Sequence, residues 1–341
     1  MNVWLRSTGC WLLLGLAAQA AELPDLINAT FDAHDTLAPL EEPPGDCRAC
    51  LEGLVWRPHD FQVRCEKDLE NRCDLLIRFP SPKPSGEATN DLVAMEWYVA
   101  RDASNQPLTA PAVVCVHESG SAMTVGRMFA RGLRHLGLHT FMIHLPYYGA
   151  RRGSPKPRAV DRLVDGTRQA IADVRRARDA VAALPLVDTE HIALQGTSLG
   201  GFVSATAAGL DDGYDGVFLV LAGGDLYDVL QNGKKDAAEA RKELATEGLS
   251  GDQLKSALQA IEPLRVAHRL TPARTWLYSG TADTVVPLKN ANALAAAAKL
   301  DRRHHVLLPT NHYNGILLLP VIISHISRRV APVKVIPAEG D

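Results

Sequence analysis

From residue 73 onward, short apolar runs alternate with longer stretches of helical spacing, and this alternation restricts the fold more than any other feature of the chain. The runs fall at residues 73–79, 92–100, 112–117, 139–145, 191–195, 217–222, 275–279 and 306–309. Several are apolar throughout, as strands are when helices cover both faces of a sheet. The expectation is an α/β fold with a mostly parallel central sheet flanked by helices. Between the strands, residues 161–184 place Leu163, Thr167, Ala170, Ile171, Val174 and Val181 at helical spacing, leaving Arg175, Arg176 and Arg178 for a solvated face. A C-terminal helix is expected from Asn314. Its apolar run over residues 316–323 contains Pro320 and is too short to span a bilayer, so it reads as core packing.

A chain of 341 residues with 46% hydrophobic and 22% charged residues can bury a large core. Its formal charge of −3, without long blocks of one sign, gives no footprint for nucleic acid. About fifty residues, 225–274, separate two of the strands and read as a helical lid insert with two helices. One ends near Gly248, and the next is opened by Ser250, whose side chain and that of Gln253 are placed to form a capping box.

The first twenty residues carry one charge, Arg6, followed by an apolar stretch and Ala18-Gln19-Ala20, the pattern of a signal peptide spanning residues 1–20. Secretion or a periplasmic location follows, with no membrane span after cleavage. Residues 21–72 contain Pro39, Pro43, Pro44 and Pro58 and read as an irregular N-terminal extension. Cys47, Cys50, Cys65 and Cys73 cluster there, and in an oxidising compartment they read as two disulfides of open connectivity. A four-thiolate zinc site is the alternative, although only Cys47-x-x-Cys50 has the usual close spacing. Cys115 lies in an apolar run and reads as a core thiol. Residues 73–341 form the remaining domain.

Gly196-Thr197-Ser198-Leu199-Gly200 falls between an expected strand and an Ala-rich helix. Small residues around Ser198 allow a sharp turn that lifts its hydroxyl above the sheet. An unassisted serine is a weak nucleophile and needs a histidine base oriented by an acid. Four histidines come late enough in the chain. His304 and His305 enter the last strand from its wrong end and His325 sits within the terminal helix, whereas His312 follows the C-terminal end of that strand. Asp283 follows the strand at 275–279 and is the favoured acid. Asp225, after the strand at 217–222, is the alternative. The order Ser198, Asp283, His312 matches the order of the elbow motif.

Through Gly196-Thr197-Ser198-Leu199-Gly200-Gly201, Gly280-x-x-Asp283-x-x-Val286-Pro287 and His312, the segment from about 73 to 330 resembles the α/β-hydrolase family. Within it the chain is most similar to dienelactone hydrolases and bacterial carboxylesterases or acetyl esterases. The resemblance implies a serine esterase that cleaves small-molecule or polysaccharide-linked carboxylic esters, with short acyl groups favoured and without cofactor or metal. It further implies that the backbone N–H groups of Leu199 and Ser119 hold the oxyanion. His117-Glu118-Ser119-Gly120 is similar to the family's His-Gly-x-Gly turn, but Glu118 brings a carboxylate to the place of a glycine. Its side chain is expected to turn away, toward Arg127 or Arg151. His117, Glu118, Tyr147 and Tyr148 are expected around the substrate, the two tyrosines beside Arg151 and Arg152 suiting a sugar ring or a carboxylate. A peptidase similar to prolyl oligopeptidases and a non-catalytic binding protein are the competing readings.

Overall fold

A computed structural model describes residues 23–330 apart from residues 40, 44 and 154–156. The signal peptide expected at residues 1–20 lies outside the described residues. The chain builds one ten-stranded sheet from β1 (Thr30–Ala33), β2 (Phe61–Glu66), β3 (Leu75–Pro80), β4 (Leu92–Tyr98), β5 (Ala110–Val116), β6 (His139–Ile143), β7 (Val187–Thr197), β8 (Gly216–Val220), β9 (Thr275–Gly280) and β10 (His305–Leu308). Their spatial order is β1-β2-β3-β4-β6-β5-β7-β8-β9-β10. The pairings from β1 to β4 and of β4 with β6 are antiparallel. Those from β6 through β10 are parallel.

The chain leaves β5 in one direction to form β6 and returns past it to form β7. The loops after β5 and β7 therefore diverge at a topological switch, where open α/β sheets place their sites. The strands here are buried on both faces and their side chains divide by parity. Val114, Val116, Leu194 and Leu219 pack on one face with the helices Thr167–Ala182, Leu199–Ala208 and Leu288–Ala297. Val113, Cys115, Ala193 and Phe218 pack on the other with the helices Thr124–His135 and Leu319–Val330. Pro320 falls in the first turn of the last helix, where a missing N–H costs nothing, so it does not interrupt the apolar run. No helix among the described residues is long and apolar enough to cross a membrane.

The extension at residues 21–72 is more ordered than its prolines suggest, because it adds β1 and β2 to the sheet and a helix, Asp46–Glu52. Phe61, Val63 and Cys65 point inward while Gln62 and Arg64 point out, the two-residue period of a half-covered strand. This folding back corrects the expected solvated face at residues 175–178. Arg176 is fully buried, with Nη2 2.6 Å from Asp35 Oδ2 and its guanidinium 4.7 Å from the centre of the Phe61 ring. Arg175 is also buried and pairs with Asp211 and Asp179. Burial opposes the charge on Asp35, yet hydrogen bonds from Trp56 and Arg176 hold its carboxyl below the ordinary value.

The expected disulfides are not formed: Cys47, Cys50, Cys65, Cys73 and Cys115 are thiols. Cys65 belongs to the packing on one face of the sheet and Cys73 to that on the other, so the sheet itself separates them. Four sulfurs arranged this way cannot converge on one zinc ion either. Cys115 is completely buried, and burial pushes its thiol pKa up.

Residues 225–274 hold three α-helices where two helices were expected, Leu226–Asn232, Asp236–Thr246 and Gly251–Gln259, followed by three short 3-10 turns. Ser250 occupies the cap position of the third, but its side chain makes no capping hydrogen bond, so the expected box does not form.

Candidate active site

Ser198 follows the last residue of β7 and precedes the helix Leu199–Ala208. Its φ of 52° and ψ of −115° lie where a residue with a side chain is strained. The surroundings enforce this conformation. The Ser198 N–H donates to the Val220 carbonyl at 2.8 Å, tying the turn to β8. A Cβ on Gly196 would lie 2.3 Å from the Gly200 carbonyl oxygen, and one on Gly200 would lie 2.3 Å from that of Val116. Only glycines allow the helix to start this close to the end of β5.

The structure brings Ser198, His312 and Asp283 together. Ser198 Oγ is 3.0 Å from His312 Nε2, and His312 Nδ1 is 2.7 Å from Asp283 Oδ2. The other oxygen, Oδ1, accepts the N–H groups of Val285 and Val286 at 2.8 and 3.0 Å, which fixes the carboxylate plane. His312 sits in the loop after β10, where Asn311 Oδ1 accepts from the N–H groups of Tyr313 and Asn314 and closes a tight turn around it. The three side chains are mostly shielded from water.

The other candidates lie elsewhere. Asp225 is exposed and caps the helix Leu226–Asn232 by accepting from the Asp228 N–H. His304 bonds Asp301, His305 bonds Ser279, and His325 bonds the Tyr278 hydroxyl.

The loop after β5 is held by four separate groups. His117 is fully buried, and burial pushes its pKa down to about 3, so the ring is neutral. Its Nδ1–H donates to the Glu118 carbonyl at 2.6 Å, leaving Nε2 to accept the Leu145 N–H at 3.1 Å. The Tyr148 hydroxyl donates to the Ser119 carbonyl at 3.0 Å, and its ring packs on that of His117. Arg127 is clamped by the buried Glu96 and donates to the Ala122 carbonyl at 2.6 Å. Glu118 accepts the N–H groups of Val125 and Gly126, both at 3.0 Å. Among the described residues no acceptor engages the N–H of Ser119 or that of Leu199, the first residue of its helix.

This arrangement corrects the expected partner of Glu118. Neither arginine takes the carboxylate, because Arg127 is paired with Glu96 and Arg151 with Asp173 at 2.8 Å. Instead Glu118 satisfies the open N-terminus of the helix Thr124–His135, where the helix dipole favours an anion. Arg151 is fully buried and does not present itself to a ligand.

Two cavities meet at Ser198, Ser119 and Asp236. The larger, about 260 Å³, runs between Glu118 and the C-terminal helix over Val220, Leu221, Leu319 and Ile322. The second, about 210 Å³, is walled by the 225–274 insert through Leu226, Val229, Leu230, Leu258 and Ile261. A third, about 190 Å³, adjoins the second and holds Tyr147 and Tyr148. Of the four residues expected around the substrate, only Glu118 lines a cavity that reaches Ser198; His117 lies buried behind it. The insert side chains and Tyr313, whose hydroxyl donates to Asp236 at 2.8 Å, are wall residues that carry no sequence motif.

Among the described residues, Glu42, Cys47 and His268 bring three metal-type donor atoms within 4.8 Å of one another. Glu42 is already engaged there by Arg269 at 2.7 Å and His268 at 3.0 Å.

Residues 165–315 match the prolyl oligopeptidase family. An uncharacterized protein of Mycobacterium tuberculosis is 34% identical over 134 residues, which cover 36% of this chain and 32% of that protein. The match thus spans about a third of the length of its curated relatives. An acetyl xylan esterase from Thermoanaerobacterium sp. superposes with a TM-score of 0.55 at 16% identity, covering 86% of this chain and 96% of that one. One from Paenibacillus sp. also gives 0.55, at 15% identity, with 89% and 98% covered. With the sheet order above, these likenesses give the chain the α/β-hydrolase fold.

Proposed function

We propose that this chain, an α/β hydrolase by fold, is a serine hydrolase of carboxylic esters that works through an acyl-enzyme on Ser198 and is exported by a cleaved signal peptide. The observation that carries the reading is the continuous relay from Ser198 Oγ through His312 to Asp283, at 3.0 and 2.7 Å, on a serine held at positive φ. His312 Nε2 takes the hydroxyl proton as Oγ attacks the ester carbonyl. Asp283 keeps the other ring proton on Nδ1 and stabilises the imidazolium. The N–H groups of Leu199 and Ser119 receive the oxyanion, each such donor contributing about 3 to 4 kcal/mol to the transition state. His312 returns the proton to the departing alcohol, and water then releases the acid by the same steps in reverse. The helix N-terminus beside Glu118 offsets its charge, which makes a carboxylate near the oxyanion compatible with catalysis.

The match to the prolyl oligopeptidase family over residues 165–315 favours a second reading, amide cleavage by the same residues. Matched ester and anilide substrates with identical acyl groups separate the two. An esterase hydrolyses the ester and leaves the anilide almost untouched, while a peptidase cleaves both. In either case Ser198→Ala abolishes turnover, and ester hydrolysis surviving in that variant overturns the mechanism.

A further inference from the structure

The two cavities that meet at Ser198 differ in a way that assigns their roles. The 260 Å³ cavity ends on Val220, Leu221, Leu319 and Ile322, all part of the packed core on one face of the sheet, so it is blind. The 210 Å³ cavity shares Leu163, Thr167, Leu199, Val203 and Ala240 with the neighbouring 190 Å³ cavity, so further open space lies directly behind that wall. In an acyl-enzyme pathway the alcohol must depart while the acyl group stays attached to Ser198. A pocket closed by the core suits the group that stays, and one that adjoins further open space suits the group that leaves. Aliphatic side chains supply seven of the sixteen residues that wall the blind pocket. Its charged side chains are Glu118 and Asp236, both carboxylates, with no Lys or Arg among the described residues that line it.

We propose that the blind cavity holds the acyl group and selects a neutral, apolar chain of about six to eight carbons, with Ile316 at its rim helping to set the length. The proposal rests on the ester-hydrolase reading and departs from the short-acyl preference expected from the sequence. A cavity of about 150 Å³ admits benzene, so 260 Å³ accommodates on the order of ten heavy atoms, and an acetyl group leaves most of it empty. Each methylene that enters such a pocket is worth up to about fourfold in kcat/KM, equivalent to about 0.8 kcal/mol. An acyl chain ending in its own carboxylate meets two carboxylates and no cation, so a monoester of adipic acid is selected against relative to the hexanoate of equal length.

The test is kcat/KM for p-nitrophenyl esters from acetate to dodecanoate, with the adipate monoester as the anionic arm. The expected profile peaks at hexanoate to octanoate, at least tenfold above acetate, and places the adipate monoester at least tenfold below hexanoate. Ile316 is partly exposed, and Ile316→Trp fills the cavity from its rim. The variant is expected to lower the octanoate-to-acetate ratio at least tenfold, with fluorophosphonate labelling of Ser198 reporting that the site is intact. A maximum at acetate in a protein that labels at Ser198 overturns the acyl assignment and leaves the esterase reading standing. A profile that ignores Ile316→Trp but shifts in Leu230→Trp moves the acyl group to the other cavity and also overturns it. Failure to hydrolyse any ester, with Ser198 unlabelled, removes the esterase reading itself.

Discussion

Replacing Asp283 with asparagine tests the relay with almost no change in shape, and the structure determines which way the new amide must face. Oδ1 of Asp283 accepts two backbone N–H groups, from Val285 and Val286. Turning the amide NH2 toward them would leave two buried donors unsatisfied, at about 1 to 3 kcal/mol each, so the amide oxygen keeps that position by at least about thirtyfold. The NH2 then faces His312 Nδ1, which becomes an acceptor, and the ring proton moves to Nε2, facing Ser198. Such a histidine has no lone pair with which to take the serine proton. The same wrong-tautomer effect in other serine hydrolases costs about 10⁴ in kcat, or about 5 kcal/mol of barrier. The assay is steady-state ester hydrolysis at several pH values, with thermal melting as a control for folding. The expected outcome is a loss of about 10⁴ in kcat with the melting temperature nearly unchanged. A loss smaller than about tenfold would mean that Asp283 does not set the tautomer of His312.

Arg176→Met removes one partner of a fully buried ion pair and strands Asp35, so it should lower stability by about 3 to 5 kcal/mol in chemical denaturation; an unshifted midpoint would show that the pair is not buried in solution. Asp225→Ala removes a helix cap, worth about 1 kcal/mol, and should leave kcat unchanged, whereas a large loss of kcat would make Asp225 the acid after all. Burial holds His117 neutral down to about pH 3, while the unfolded chain takes up the proton as pH falls below 6.5. Its contribution is therefore complete above pH 6.5 and lost progressively toward pH 3, so stability should fall from pH 7 to pH 5 and fall less steeply in His117→Gln. Equal slopes for the two proteins would contradict a buried neutral imidazole.

The strands β3 to β10 were legible because each is a short apolar run bounded by turn residues or helical spacing, and the order of their loops followed. Ser198, Asp283 and His312 were legible for the same reason: each lies just past the C-terminal end of a strand, so placing the strands placed the residues. What stayed hidden depends on partners distant in the chain. Arg176 reads as solvated because its carboxylate comes from Asp35, which only the folded extension brings over the helix, and Arg175 pairs with the distant Asp211 as well as with Asp179 one turn on. The strand β2 carried a readable signal in the alternation of Phe61, Val63 and Cys65, which the surrounding prolines masked. The cysteine cluster suggests disulfides only through the compartment that the N-terminal residues imply, and sequence proximity says nothing about which face of a sheet a sulfur occupies. The walls of the cavities were least legible, since apolar helix positions in the insert look alike whether they face the core or a ligand.

Every step of the proposed chemistry depends on Ser198 being an activated nucleophile, which mass-spectrometric mapping of a fluorophosphonate adduct on the folded protein reads out. A single adduct on Ser198 is expected, absent in Ser198→Ala and formed far more slowly in Asp283→Asn. A folded protein that forms no adduct, or carries it on another residue while hydrolysing esters, would mean that Ser198 is not the nucleophile.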